Sequence, residues 1–175
     1  MKKLAGVVLV VLLVSALFAG CGGAKSEKVK TGLAAITAVN KSADAGAEPG
    51  LAQIDSTVVA VTVGGNGKII KCVIDSVQSK INFDTAGKLI TPMDTLFSTK
   101  VEPGDGYEMR KASKIGKEWN EQAAAFAKYI IGKTPDQVAD IAVNEEGRPT
   151  GSDLLAMVTI GIDDLQAALA KAAGL

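Results

Sequence analysis

From Ala52 onward apolar and polar positions alternate. Val59, Val61 and Val63 fall on one side of an extended backbone and Val58, Ala60 and Thr62 on the other, the two-residue period of a strand. Gly64-Gly65-Asn66-Gly67 follows, and Asn-Gly signals a tight hairpin because both central positions of such a turn favour positive φ. Residues 68–77 are expected to pair back, with Ile70, Cys72 and Ile74 facing inward. Residues 31–39 read as an earlier strand, 41–50 as a polar loop, and 80–83 with 88–90 as a further hairpin around Thr85-Ala86-Gly87. The first half of the domain is therefore predicted as an antiparallel meander.

The second half switches to a helical period. Ile115, Trp119, Ala123, Phe126 and Ile130 recur every three or four residues, one apolar stripe on a helix expected over 114–131 and ended by Gly132. Thr134-Pro135-Asp136-Gln137 has a capping Thr, a Pro in the first turn and a Gln three after the cap, opening a short helix to about Ala142. Asp163-Asp164-Leu165-Gln166 opens a last helix that buries Leu165, Ala168, Leu169 and Ala172, with Gly174 past its end. Strands first and helices later give an α+β class, an antiparallel sheet with helices packed on it.

The N-terminus has a different pattern. Lys2-Lys3, an apolar run over 4–18 and then Phe18-Ala19-Gly20-Cys21-Gly22 make a secretory signal ending in a lipobox. The expectation is a signal peptide over 1–20, lipidation of Cys21, a flexible tether over 21–30 and one domain over 31–175. Two acyl chains on Cys21 would give stable anchoring to the outer, extracytoplasmic face of the cell membrane.

Removal of the signal takes two of the 19 basic residues and none of the 19 acidic ones, so the mature chain is slightly acidic. It lacks the basic footprint of a nucleic-acid binder. With Cys21 lipidated, Cys72 has no disulfide partner and reads as a small buried hydrophobe. The chain has no histidine, which excludes Ser/His/Asp and Cys/His catalysis and imidazole metal sites. Asp163-Asp164 and Glu145-Glu146 resemble paired carboxylates, yet the first pair opens a helix and the second sits in a polar loop, so both read as structural or solvated. Glu102-Pro103-Gly104-Asp105-Gly106-Tyr107 combines turn formers with one aromatic and serves equally as a plain loop or as one that wraps a planar ligand.

Asp153-Leu154-Leu155-Ala156-Met157-Val158-Thr159, then Ile160-Gly161-Ile162 and an Ala-rich helix, resembles the end of the FMN-binding domain family, found in flavin-carrying subunits of sodium-pumping quinone reductases. Asp153 and Thr159 fall on that family's Asp and on the Thr that can carry FMN through a phosphoester bond. The Val58 to Asp75 hairpin, with Gly67-Lys68-Ile69-Ile70, is similar to the family's opening strands. Thr99-Lys100, Gly104-Asp105, Tyr107, Met109, Lys111-Ala112-Ser113 and Gly116-Lys117-Glu118-Trp119 resemble the middle of exported Gram-positive lipoproteins with this domain.

The resemblance implies an FMN-binding-domain-like fold and a redox carrier or binding protein more than an enzyme. It would hold flavin among Lys100, Gly104, Tyr107, Met109, Lys111, Trp119, Asp153, Val158, Thr159 and Ile160, and pass electrons to redox partners. Ala156-Met157 and Val158 stand where the family has a hydroxyl residue, Gly and Ala, so noncovalent FMN is expected rather than a bond to Thr159. Read by its neighbours alone, Thr159 is a β-branched residue in a short extended segment, its hydroxyl turned to a nearby carbonyl. The alternative to a flavin carrier is a flavin-free surface module of the same fold that holds another small ligand or a protein partner.

Overall fold

The structure is a computed structural model and describes residues 28–174. The expected signal peptide, Cys21 and nearly all of the expected tether lie outside the described residues. Three strands, β1 (Lys30–Ala38), β2 (Gly50–Val63) and β3 (Ile69–Phe83), form one antiparallel sheet in the order β1-β2-β3. Four helices follow: α1 (Trp119–Tyr129), α2 (Pro135–Ala139), α3 (Ser152–Leu155) and α4 (Asp163–Ala173). The class is α+β. Within the described residues no helix is long and apolar enough to cross a membrane.

Alternation sets the register. Ala34 lies opposite Val59, Val59 opposite Ile74, and Val61 opposite Cys72, so these side chains share the inner face. Val59 and Val61 are buried there in one core with Phe126, Ile130, Leu165 and Leu169, α4 packing on β1 and β2 and α1 on β3. Fully burying side chains of this size contributes about 1.5–3 kcal/mol each before conformational entropy is counted.

The Gly64-Gly65-Asn66-Gly67 connection departs from the expected tight turn in a specific way. Only Gly67 takes positive φ, at 77°. Gly67 N donates to Gly64 O at 2.9 Å and Gly64 N to Lys68 O at 2.8 Å, while Asn66 Oδ1 accepts Lys68 N at 3.0 Å. This is a three-residue loop with one left-handed glycine at its end. Beyond it, Ile69 pairs with Val63 and Lys71 with Thr62, leaving Ile70 as the extra residue of a bulge. The bulge reverses the phase of the strand at its start, so Ile69 is buried and Ile70 is 47 % exposed, against the expectation that Ile70 faces inward.

Other boundaries also differ from the expected ones. The 80–83 stretch is the end of β3, and 88–90 returns through a single bridge between Phe83 and Leu89 rather than as a strand. Helix α1 starts at Trp119, five residues later than expected, because Gly116 has φ 61° and the chain is extended at Glu118. Ile115 therefore precedes the helix. The capping box at Thr134 and Gln137 forms as read, but α2 ends at Ala139. The buried face of α4 is the expected one, Leu165, Ala168, Leu169 and Ala172.

Candidate functional site

The inner face of the sheet changes character along its length. In phase with Val59 and Val61, the earlier part of β2 carries Gln53, Asp55 and Thr57, and β3 places Ser76 and Gln78 opposite Thr57 and Asp55. The apolar half lies under the helices; the polar half extends to the floor of a cavity of about 520 Å³. Ala38 and Lys41 close one side, the Lys100 and Met109 loops another, and Thr159, Ile160 and the start of α4 a third.

Two polar side chains one turn apart hold the loops that wall the cavity. Glu118, 1 % exposed, accepts N–H bonds from Met109 at 2.8 Å and Arg110 at 2.9 Å. Gln122, fully buried, accepts through one oxygen from Thr159 N at 2.7 Å, Thr159 Oγ1 at 3.1 Å and Ile160 N at 3.2 Å. Its amide group donates to Ser113 Oγ at 3.2 Å and Lys117 O at 3.1 Å. Buried polar groups so fully bonded specify a local conformation, since an unmade bond there costs the full desolvation of the group. Ile162 N donates to Gly147 O at 2.7 Å, which fastens the 144–148 turn beside the start of α4.

The charges in the wall fall into paired and unpaired sets. Lys41 bonds Asp55 at 2.9 Å, and Arg148 bonds Glu146 at 2.8 Å. Lys100 makes no ion pair among the described residues; its ammonium lies 5.5 Å from the centre of the Trp119 ring. Desolvation lowers the Lys100 pKa, a trend that Asp55 and Asp164 oppose. Asp164 is shifted upward, first by burial and then by neighbouring Asp163. Burial also acts to raise Asp55, but hydrogen bonds from Lys41, Gln78 and Gln53 outweigh it and the net shift is downward.

Lys100, Met109, Trp119, Thr159 and Ile160 line this cavity. The other expected site residues do not. Val158 is fully buried in the core, Asp153 is exposed in the first turn of α3, and Lys111 is exposed. Gly104 and Tyr107 begin and end a short 3-10 helix, with Tyr107 packed against the core. Residues 158–160 are not a strand, and the Thr159 hydroxyl meets the Gln122 side-chain carbonyl.

Lys41, Asp55, Gln122 and Arg148 are cavity-forming residues that sequence reasoning missed, and Glu118, named within the resemblance, was given no role there. For Asp55 a signal existed: Gln53, Asp55 and Thr57 stand in phase with the buried Val59 and Val61, so a polar run continues on a face otherwise given to the core. Asp163, Asp164, Glu145 and Glu146, read as structural or solvated, all reach the cavity wall.

No protein-family model, no curated protein and no solved structure matches this chain.

Proposed function

We propose that this protein is a lipid-anchored extracytoplasmic carrier with an FMN-binding-domain-like fold, which binds flavin noncovalently for electron transfer. The observation that carries this reading is the meeting of Lys100, Met109, Trp119, Thr159 and Ile160, from four separate stretches of chain, around one cavity. Its volume lies in the range of small-molecule and cofactor sites.

The fit differs between the parts of the ligand. A planar ring suits the thioether of Met109 and the apolar side chain of Ile160, while Trp119, only 6 % exposed and covered by Lys100, acts as floor rather than as an open stacking platform. A phosphate has one cation of the wall without a carboxylate partner, Lys100; Lys111 lies outside the cavity. At Thr159 the hydroxyl and the amide are both committed to Gln122, and Asp163 and Asp164 stand in the same wall, an arrangement that favours noncovalent binding over a phosphoester. A bound flavin supplies the redox chemistry, while the chain binds, orients and sets the local field.

A second reading rests on the charge of the wall. Five carboxylates (Asp55, Glu145, Glu146, Asp163 and Asp164) face three cations, two of which already have partners. That balance suits a neutral or cationic small ligand in a flavin-free module.

Visible absorption of the protein purified from its native host, before and after denaturation and precipitation, separates the readings. Flavin bands released into the supernatant are the expected result. Bands that stay with the precipitate would mean attachment at a residue such as Thr159, and a colourless protein that does not bind added FMN would favour the second reading.

A further inference from the structure

The N-terminal segment joins the domain at the hairpin end of the sheet, and the cavity begins where β1 ends, beside the middle of β2 and β3. β1 runs from Lys30, opposite Val63, to Ala38 at the cavity wall, nine residues that cover about 26 Å at the usual rise of a strand. The Lys28 carbonyl lies against the β2–β3 hairpin, 3.1 Å from where a side chain would begin on Gly65. The end of α1 reaches the same place, since Ile69 N donates to Lys133 O and Gly132 N to Ile69 O, both at 2.8 Å.

That end is basic and partly apolar. Lys28, Lys30, Lys68, Lys71 and Lys128 are exposed there, and Lys133 stands with its ammonium 4.5 Å from the centre of the Tyr129 ring. Among the described residues none of these six lysines is in an ion pair. Val29, Ile70 and Ile131, each about half exposed, stand between them. The acidic groups of the cavity wall lie away from this end, around the end of β1; Asp136, exposed in the first turn of α2, is the nearest carboxylate along the chain after Lys133. A mature chain that is slightly acidic in formal charge thus gathers unpaired lysines at the hairpin end of its sheet.

We infer that the hairpin end, with its lysines around Ile70 and Ile131, docks on an anionic lipid bilayer and holds the cavity away from the membrane. The inference rests on the lipid-anchored reading. Residues 21–27 between a lipidated Cys21 and Lys28 reach at most about 25 Å, so Lys28 stays within that distance of the bilayer and its end of the sheet is the one the tether holds nearest. Lysines near an anionic surface attract it by about 1 kcal/mol each, and apolar side chains between them enter the headgroup layer.

Amide hydrogen exchange of the full lipidated protein, seated on phosphatidylcholine vesicles with or without phosphatidylglycerol, tests this. The expected result is about tenfold slower exchange over 64–70 and 130–133 only on the anionic vesicles, reversed by high salt and absent from the 84–88 and 144–148 turns. The triple variant Lys68→Gln/Lys71→Gln/Lys128→Gln, which alters only exposed side chains, should lose the slowing while staying on the vesicles. Equal exchange on both vesicle types, or protection at the cavity end, overturns the proposal. Mass spectrometry of Cys21 reads the anchor separately. If no lipid is found, flotation of the same protein with anionic but not neutral vesicles still supports the surface, and failure to float overturns it.

Discussion

Gln122 Oε1 accepts the Thr159 amide at 2.7 Å and the Thr159 hydroxyl at 3.1 Å, joining residues 37 apart in sequence. One buried amide thereby sets the backbone of the loop that walls the cavity. Gln122→Leu keeps the bulk but leaves the amides of Thr159 and Ile160 without a partner. The expected cost is about 2–4 kcal/mol in urea unfolding, against about 1 kcal/mol for Thr159→Val, which removes only the hydroxyl bond. Equal costs for the two variants would show that Gln122 does not organise the loop.

Glu118 plays the corresponding part for the opposite wall. Its two oxygens each accept one N–H, from Arg110 and Met109, and Glu118→Gln puts an NH₂ group against one of those donors. Loss of about 1.5–3 kcal/mol is expected, together with loosening of Met109. Exchange of the Met109 and Arg110 amides is the direct measurement, and unchanged protection there would refute the assignment.

Asp55 and Asp164 should respond to pH with opposite signs. The folded pKa of Asp55 is depressed, so its contribution to stability is present above its unfolded pKa and disappears as pH falls through the folded value. Asp55→Asn should therefore destabilise at neutral pH and progressively less in acid. The folded pKa of Asp164 is raised, so its ionisation opposes folding: its favourable contribution is complete below the unfolded pKa and is lost as pH rises through the folded one. Asp164→Asn should stabilise at neutral pH, with the gain fading in acid. Unfolding curves of both variants from strongly acidic to neutral pH, with the Asp55 change expected below the ordinary carboxylate range and the Asp164 change above it, check the pair, and a common sign would contradict the charge pattern of the cavity.

Gly147 combines two constraints. Its φ is 72°, and a Cβ there would overlap the Asp163 carboxylate, whereas Gly67, at φ 77°, has open space around it. Gly67→Ala is expected to cost about 1 kcal/mol for backbone strain alone, and Gly147→Ala somewhat more, because the exposed Asp163 carboxylate must also turn away from the new methyl group. Thermal unfolding of the two variants side by side provides the comparison.

Burial pushes the Cys72 thiol up to about 11. Little thiolate forms near neutral pH, so alkylation of the folded protein should be slow and should accelerate on unfolding. Rapid modification of the native protein by iodoacetamide at mildly alkaline pH would contradict that environment.

Local periodicity determined a good part of this protein. The three strands, the buried stripe of α1 after Trp119, the capping box at Thr134 and the inward face of α4 all follow from the spacing of apolar residues and from caps, interactions that act within a few residues. The bulge at Ile70 escaped such reading because it depends on how β2 and β3 close their turn. The late start of α1 escaped it because Gly116 takes positive φ within an otherwise periodic stretch.

The cavity belongs to tertiary structure. Lys100, Met109, Trp119, Thr159 and Ile160 could be singled out as residues, but their meeting, and the exclusion of Asp153, Val158, Gly104, Tyr107 and Lys111 from the wall, depended on where two loops were pinned. Glu118 and Gln122 stand beside the apolar stripe in sequence; only packing reveals that both are buried, Glu118 bonded to the loop just before it and Gln122 to one 37 residues on. The opposition of a lysine-rich end and an acid-rich cavity has the same origin. Charges spread evenly in sequence were sorted when antiparallel strands and helices carried alternate connections to alternate ends of one sheet.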